Sequence, residues 1–240
     1  MSNKNIKAFL FDSGKVLNGP VSGHWFMPPR FFQYIDEEVF HNIDRSIIAT
    51  AFEMANSYIV KQKHIMSKEE EYFYFVNFYS IFAENVQELG MTKNEIELLA
   101  KDLVYNDEKY IFYDDAISVI PKLRKKHKLG IVSDAWPSLL DVYKKAKMDI
   151  YFDGFIISSM IGVTKPNKKM YLTALEKLGI LPSEAIFIDD NLDNCMGAIE
   201  LGIRSILLCR DKEKYHLYEN IKIDDNLDVI NTLAELEQYL

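Results

Sequence analysis

Residues 9–19, FLFDSGKVLNG, decide the fold of this chain. An apolar run leads to Asp12 and then gives way to Ser13 and Gly14, which are residue types common in turns. Apolar and polar residues do not alternate in the run, and this predicts a strand covered on both faces, as in a parallel sheet. Asp12 therefore lies at the mouth of a buried strand, where a carboxylate needs an explanation.

Four further apolar runs of the same kind occur later in the chain, at residues 129–134, 154–158, 185–190 and 204–209. Helical patterns lie between them, at residues 137–147, 167–178 and 194–201. Gly179 and Gly202 follow the last two patterns, and each can adopt the left-handed turn that ends many helices. Strands that alternate with helices predict a Rossmann-like α/β core, a parallel sheet flanked by helices.

One connection in this pattern is too long for a single crossover helix. More than one hundred residues separate the first apolar run from the second, and residues 36–66 and 67–104 are helical in pattern. We therefore expect a helical domain to be inserted after the first strand. The predicted domains are a helical one at about residues 19–108 and a core of residues 1–18 and 109–240.

The inserted segment contains two helix-start signals and a cluster of aromatic residues. Ser67-x-x-Glu70 and Thr92-x-x-Glu95 each have the spacing of a capping box. The aromatic residues are Tyr72, Phe73, Tyr74, Phe75, Phe78, Tyr79 and Phe82. At helical spacing they predict the core of a small bundle rather than a ligand site.

Composition limits the classes of partner. The 240 residues carry a net charge of −8, whereas proteins that bind nucleic acids or membrane surfaces use clustered Lys and Arg. The one basic run, at residues 124–128, ends a helical pattern, where cations suit the helix dipole and face water. We expect neither a nucleic acid nor a membrane as partner, so an anionic substrate must be held by local charge.

Cysteine content and hydropathy indicate a soluble cytoplasmic protein. Cys195 and Cys209 lie in apolar surroundings without a CxxC spacing, so zinc and disulfide roles are both weakly supported. The first 12 residues lack the apolar segment and cleavage site of a signal peptide. The most apolar stretch, at residues 72–83, is shorter than the roughly 20 residues that a membrane span requires.

Polar residues cluster where the predicted strands end. They are Asp12, Ser133, Asp134, Lys165, Asp189 and Asp190. In a parallel sheet these ends share one edge, which is where ligands bind. A nucleophilic carboxylate, a hydroxyl, an ammonium group and an acid pair are the parts needed to hold and attack a phosphoryl group, and carboxylates bind Mg²⁺.

At these positions the chain resembles the haloacid dehalogenase-like hydrolase superfamily. FLFDSGKVL matches its nucleophile motif, LGIVSDA its Ser/Thr motif, GVTKPNKKMY its Lys-Pro motif and FIDDNLDN its acidic motif. The DxGxV form of the first motif is similar to a branch that includes sugar-phosphate phosphatases. The insertion occupies the place of the family's helical cap domain.

The resemblance implies a role for each matched residue. Asp12 would be the nucleophile and a metal ligand, Ser133 would bind the phosphoryl group, and Lys165 would steady both. The family's Mg²⁺ would be bound by Asp12, Asp190, the backbone carbonyl of Gly14, and Asp189, either directly or through water. Asp193, one helical turn beyond Asp189, ranks third among the acids of its motif and can equally cap the helix that follows.

Gly14 departs from the family pattern, which has a second Asp there as general acid and base. Loss of a general acid typically costs about 10²- to 10⁴-fold in rate. Three interpretations follow: a Mg²⁺-dependent phosphatase that tolerates the loss, a metal-free 2-haloacid dehalogenase that needs no leaving-group proton, and a non-catalytic binding protein. A phosphomutase would rely on the missing base. The retained acids and Lys165 favour the phosphatase. Lys15 is near enough in sequence to donate a proton, but we expect it to be a solvent-facing lysine of the turn.

The substrate-binding set is predicted to extend beyond Ser133, Asp134 and Lys165. Residues 19–32, GPVSGHWFMPPRFF, contain Gly and Pro and suggest a hinge into the inserted domain. His24 and Trp25 would then reach the substrate when the cap closes. The expected partner is a small phosphorylated molecule, and the sequence leaves a monomer and a homodimer equally open.

Overall fold

A parallel sheet of six strands is the framework of the fold, seen in a computed structural model that describes residues 6–218 and 223–239. Across the sheet the strands are β5 (Gly154–Ile157), β4 (Lys128–Ser133), β1 (Ala8–Phe11), β6 (Ala185–Asp189), β7 (Arg204–Leu208) and β8 (Leu227–Ile230). The predicted α/β class, with a helical segment inserted after β1, is confirmed.

β1 is an interior strand, with β4 on one side and β6 on the other. Its residue Phe11 pairs with Ile131 of β4 and with Ile188 of β6, and the three strands run parallel. Every residue of β1 is fully buried. Burial on both faces explains why the apolar run does not alternate.

Helices flank this sheet. They are α6 (Asp114–Leu123), α8 (Ser158–Ile161), α9 (Lys168–Leu178), α10 (Leu192–Ile199) and α11 (Lys212–Tyr218), with 3₁₀ turns at Asp149–Tyr151, Pro182–Glu184 and Leu233–Tyr239. Gly179 ends α9 with φ of 62°, the left-handed turn that the sequence predicted. Cys195 and Cys209 are both free and buried.

Three short strands were not predicted. β2 (Asn18–Pro20) and β3 (Tyr110–Phe112) pair with each other where the chain enters and leaves the insertion, and three-residue strands carry little pattern. β8 is an edge strand in which Asp228 interrupts the apolar residues. Arg204 of β7 donates to Asp228, and the pair keeps a charge on this edge of the sheet.

The inserted segment is a bundle of helices. They are α1 (Phe31–Tyr34), α2 (Glu37–Asn42), α3 (Arg45–Ile59), α4 (Lys68–Glu84) and α5 (Lys93–Tyr105), with a 3₁₀ turn at Gln87–Leu89. Four of the seven aromatic residues of α4 are buried in the core of this bundle: Phe75, Phe78, Tyr79 and Phe82. The Phe82 ring stacks 4.3 Å from that of Phe52 on α3, so the core interpretation holds for this face of α4.

The two predicted capping boxes differ. Thr92 caps α5 with a complete box, in which Glu95 returns a hydrogen bond to the Thr92 backbone. Ser67 caps α4 through the Glu70 amide, but the Glu70 carboxylate accepts from Met66 at 2.7 Å. Within the described part of the chain, no helix is long and apolar enough to cross a bilayer.

The chain divides into two compact units. The helical unit consists of residues Pro20–Ile111 and Trp136–Val142, and the sheet unit contains the rest. The predicted division at residues 18/19 and 108/109 lies within a few residues of this one, but it left residues 136–142 in the core. These residues include the start of α7 (Leu139–Lys145), and Trp136 packs against Phe75, 5.0 Å between ring centroids.

A buried polar network holds the segment 136–142 within the helical unit. Ser138 donates from its amide and its hydroxyl to the Glu71 carboxylate, at 2.8 and 2.5 Å. Lys109 Nζ donates to Ser138 Oγ at 2.6 Å and to the Leu103 carbonyl at 2.7 Å. Burial raises the pKa of Glu71 and lowers the pKa of Lys109 to about 8, so each group depends on the other for its charge.

We predict that Lys109→Met destabilises the protein by about 3–5 kcal/mol, because it removes the buried cation of the network and leaves the Glu71 carboxylate largely uncompensated. Urea unfolding would measure the change. Lys93→Met is the matched control: its pair with Glu97 is exposed and spans 3.7 Å, so we expect a loss below about 1 kcal/mol. Adding Glu71→Gln to Lys109→Met should restore part of the stability. Equal unfolding midpoints for the two single variants would contradict the network's role.

Candidate active site

Three carboxylates meet at the carboxyl edge of the sheet. Because Phe11 and Ile188 are register partners in neighbouring parallel strands, the next residues, Asp12 and Asp189, emerge side by side. One carboxylate oxygen from each of Asp12, Asp189 and Asp190 lies within 4.8 Å of the others. The apolar runs of β1 and β6 thus bring acids 177 positions apart into one cluster.

Lys165 links two of these acids. Its Nζ lies 2.7 Å from Asp12 Oδ1 and 2.7 Å from Asp189 Oδ2, and its side chain is 1% exposed. Burial alone would lower the pKa of Lys165, but the carboxylates of Asp12, Asp189 and Asp134 outweigh burial and raise it. Lys165 therefore keeps its positive charge beside the three carboxylates.

Asp189 and Asp190 have different surroundings. Asp189 is fully buried, and it also accepts from the Asn191 amide at 2.9 Å and from Asn194 Nδ2 at 3.1 and 3.2 Å. Burial and the charge of Asp12 raise the pKa of Asp189 to about 7. Asp190 is partly exposed, and its partner Lys15, at 3.6 Å, is itself largely in solvent. Asp190 is thus the freer of the two carboxylates.

The donor set fits a hard divalent cation. Three carboxylates face one another, and Lys165 supplies one buried positive charge against them. When all three acids are ionised, Lys165 balances only one of their charges and Lys15 reaches Asp190 only from solvent, so the cluster favours a further cation. Mg²⁺ binds through oxygen and takes one or two carboxylates with waters, which matches these residues.

The remaining residues predicted at the strand ends lie around this cluster. Ser133 is buried at the end of β4, the other neighbour of β1. Asp134 Oδ1 accepts a 3.0 Å hydrogen bond from the backbone amide of Lys165, so it holds the lysine's main chain. Gly14 lies in the turn after Asp12 and bridges to Asn18. Asp193 is exposed at the start of α10, outside the cluster.

The sequence did not predict three polar residues at the site: Asn18, Tyr143 and Asn194. Tyr143 is fully buried and its hydroxyl lies 2.9 Å from Ser13 Oγ, which also accepts from Asn18 Nδ2 at 2.8 Å. Asn194 steadies Asp189. Asn194 could have been found within the acidic motif, whereas Tyr143 is 130 positions from Ser13 and has no local signal.

His24 and Trp25 belong to the helical unit. His24 packs 4.6 Å from the Phe52 ring and Trp25 packs 5.1 Å from the Tyr110 ring. Burial lowers the pKa of His24. Both rings therefore help to form the helical unit, and their predicted contact with substrate stays a prediction.

The family was identified by comparison with known proteins. A model of the haloacid dehalogenase-like hydrolases matches residues 6–202, most of the chain. This chain belongs to the haloacid dehalogenase-like hydrolases. The resemblance found in the four sequence motifs is thereby confirmed.

Two curated relatives are named as glyceraldehyde 3-phosphate phosphatases. The protein from Methanopyrus kandleri is 33% identical over 49% of this chain, a match that spans 54% of its own length. The protein from Pyrococcus furiosus is 25% identical over 70% of this chain and 70% of its own length. This chain thus matches only about half of the length of the Methanopyrus kandleri protein.

A solved structure shares the fold at low sequence identity. The L-2-haloacid dehalogenase from Xanthobacter autotrophicus superimposes with a TM-score of 0.63 at 18% identity, over 97% of both chains. Because that protein is a dehalogenase and the sequence relatives are named as phosphatases, the fold alone does not select the reaction. The site residues must do so.

The packing of Gly197 yields a prediction about the position of Lys165. A Cβ at Gly197 of α10 would lie 2.6 Å from Pro166 Cβ and 3.1 Å from its carbonyl oxygen. We predict that Gly197→Ala destabilises the protein by about 1–3 kcal/mol, because it pushes Pro166 and with it Lys165. Urea unfolding measures this. At an uncrowded helix position the same exchange stabilises by about 1 kcal/mol, so a gain in stability would refute the close contact.

Proposed function

We propose that this chain is a cytoplasmic, Mg²⁺-dependent phosphatase that hydrolyses a small phosphorylated metabolite through an aspartyl-phosphate on Asp12. The observation that carries the proposal is the Lys165 ammonium between Asp12 and Asp189, with Asp190 completing an acid cluster. Family membership and relatives named as phosphatases agree with it. Those names make glyceraldehyde 3-phosphate the first metabolite to test.

In the first step Asp12 attacks phosphorus. With Oδ1 held by Lys165, Oδ2 is the oxygen that forms the new bond as the bond from phosphorus to the leaving oxygen breaks. Lys165 and the Ser133 hydroxyl bind the phosphoryl oxygens, where the negative charge must be balanced during transfer. The leaving oxygen takes a proton from water or from the substrate itself and departs as the alcohol.

In the second step water attacks the phosphorus of the aspartyl-phosphate. The bond from phosphorus to Asp12 breaks, the carboxylate is restored, and the protons of the attacking water leave with the phosphate or pass to solvent. When bound, Mg²⁺ would supply positive charge to the phosphoryl oxygens. Asp12, Asp190 and the Gly14 carbonyl would hold it directly. Asp189, whose oxygens already accept from Lys165, Asn191 and Asn194, would act through water.

The acid cluster favours a phosphatase over a dehalogenase. A carboxylate that displaces halide without metal has no use for two further acids beside it, since like charges at this distance repel. Gly14 is the one feature that suits a dehalogenase, because halide leaves without a proton. The dehalogenase is therefore kept as an outcome of the tests.

We predict that the purified protein hydrolyses an aryl phosphate only with Mg²⁺, and that Asp12→Asn lowers kcat by on the order of 10³-fold or more by removing the nucleophile. Phosphate release with Mg²⁺ or with EDTA is the measurement. Asp193→Asn, an exposed acid of the same motif, should keep its activity.

Each alternative gives a different result in these assays. Turnover unaffected by EDTA would end the metal proposal. Halide release from a 2-haloacid without phosphate release would establish a dehalogenase. No turnover of any phosphate, with a small molecule retained through purification, would favour a binding protein.

The missing acid at Gly14 gives a separate prediction. Without a positioned proton donor, rates should rise steeply as the pKa of the leaving alcohol falls across a series of aryl and alkyl phosphates. Gly14→Asp should flatten this dependence and raise the rate for poor leaving groups by up to about 10²-fold. A flat dependence in the unaltered protein would show that another group donates the proton.

A further inference from the structure

The turn that follows the nucleophile is held from outside by an arginine that belongs to none of the four motifs. Arg210 lies two residues beyond the end of β7. Its Nε donates to the Lys15 carbonyl at 3.0 Å and its Nη2 donates to the Val16 carbonyl at 2.7 Å. One guanidinium therefore binds two consecutive backbone carbonyls close to Asp12.

The opposite side of the guanidinium is fixed by Asp115 of α6. Arg210 Nη1 and Nη2 donate to its two oxygens at 3.0 and 2.9 Å, a bidentate pair. Asp115 also accepts from Thr232 Oγ1 and from the Leu233 amide, each at 2.9 Å. Burial would raise the pKa of Asp115, but these hydrogen bonds lower it, so the carboxylate stays charged. The Asp115–Arg210 pair thus connects Thr232 and Leu233, near the end of the described chain, to the turn that follows Asp12.

Tyr113 closes the remaining side of the arginine. The Arg210 Cζ atom lies 4.1 Å from the centroid of its ring. The Tyr113 amide donates to the Leu17 carbonyl at 3.0 Å. A Cβ added at Gly19 would lie 2.8 Å from the Tyr113 hydroxyl oxygen, so the chain passes directly against this side chain. Arg210, Asp115 and Tyr113 together form what we term the arginine clamp.

The backbone inside the clamp has a conformation that needs support. Lys15 has φ of 58°, in the left-handed region, which costs a non-glycine residue about 1 kcal/mol or more. The clamp binds the carbonyl of Lys15 itself and that of the next residue. The turn also contains Gly14, which has no side chain and can contribute only backbone atoms to the site.

We propose that Arg210 is a positioning residue for the nucleophile: the arginine clamp fixes the turn from Ser13 to Asn18 and so fixes where Asp12 and the Gly14 carbonyl point. The proposal rests on the proposed function of Asp12. Displacing a reacting group by about 1 Å from the productive geometry can cost on the order of 10²-fold in rate.

A second bidentate pair in the sheet unit serves as the matched control. Arg124 donates to both oxygens of Asp153 at 2.9 and 2.8 Å, and Asp153 also accepts from the Leu129 amide near the amino end of β4. This pair has the geometry of the Arg210 pair but lies at the opposite end of the strands. Loss of an ion pair alone would affect both positions alike.

The test compares Arg210→Gln and Arg210→Lys with Arg124→Gln in the full-length protein. Hydrogen exchange of the Lys15, Leu17 and Asn18 amides, which are hydrogen-bonded within the turn, reports its order without any turnover. We expect these amides to exchange at least about tenfold faster in Arg210→Gln than in the unaltered protein. In Arg124→Gln we expect their exchange rates to be unchanged. With an aryl phosphate and Mg²⁺, we expect kcat to fall about 10- to 100-fold with a smaller change in KM. Arg210→Lys should recover part of both.

Further measurements separate the clamp from the proposed function. Asp115→Asn combined with Arg210→Gln should be little worse than the poorer single variant, because the two residues act as one unit. If Arg210→Gln and Arg124→Gln have the same kcat and the same exchange rates of the turn amides, the proposed role of the clamp is wrong. Faster turn exchange in a protein that releases no phosphate would support the clamp and reject the phosphatase.

Discussion

The site depends on one buried interaction, the contact of the Lys165 ammonium with the carboxylates of Asp12 and Asp189. Taking these charges out of water costs several kcal/mol for each ion, and only close contact between opposite charges offsets that cost. The geometry must therefore be exact. Asp12 and Asp189 are placed by neighbouring parallel strands, and Lys165 is held by the main-chain hydrogen bond from its amide to Asp134. Each part of the sheet edge is needed to keep the others charged.

The sequence predicted this edge well because the determinants are local. An apolar run that ends in an acid identifies both a buried strand and the residue at its mouth, and parallel strands bring such ends together. Residues that act through long-range contacts were not found. Tyr143 and Arg210 reach Ser13 and the Lys15 carbonyl from 130 and 195 positions away, and no pattern in their own segments indicates it. Their contacts are decided by tertiary packing.

The helical unit shows the same division. Helical periodicity predicted an aromatic core on α4, and the buried residues lie at the expected spacing. The same helix begins with the charged run KEEE, yet Glu71 of that run is buried, accepts two hydrogen bonds from Ser138 and interacts with the charge of Lys109. A charge run cannot tell which of its members has a partner. The hydrogen bonds from Ser138 to Glu71 help to hold residues 136–142 in this unit, together with the packing of Trp136 on Phe75.

The absence of a side chain at Gly14 makes the chemistry of the site depend on the position of the backbone. A side chain at this position would contribute a proton donor, and its geometry would be adjustable through its own rotamers. Glycine contributes only main-chain atoms, and these can be aimed only by fixing the turn itself. The hydrogen bonds from Arg210 to the Lys15 and Val16 carbonyls act on that same main chain. Because Gly14 has no side chain, the position of the backbone becomes more important, and Arg210, which lies outside the four motifs, restrains it.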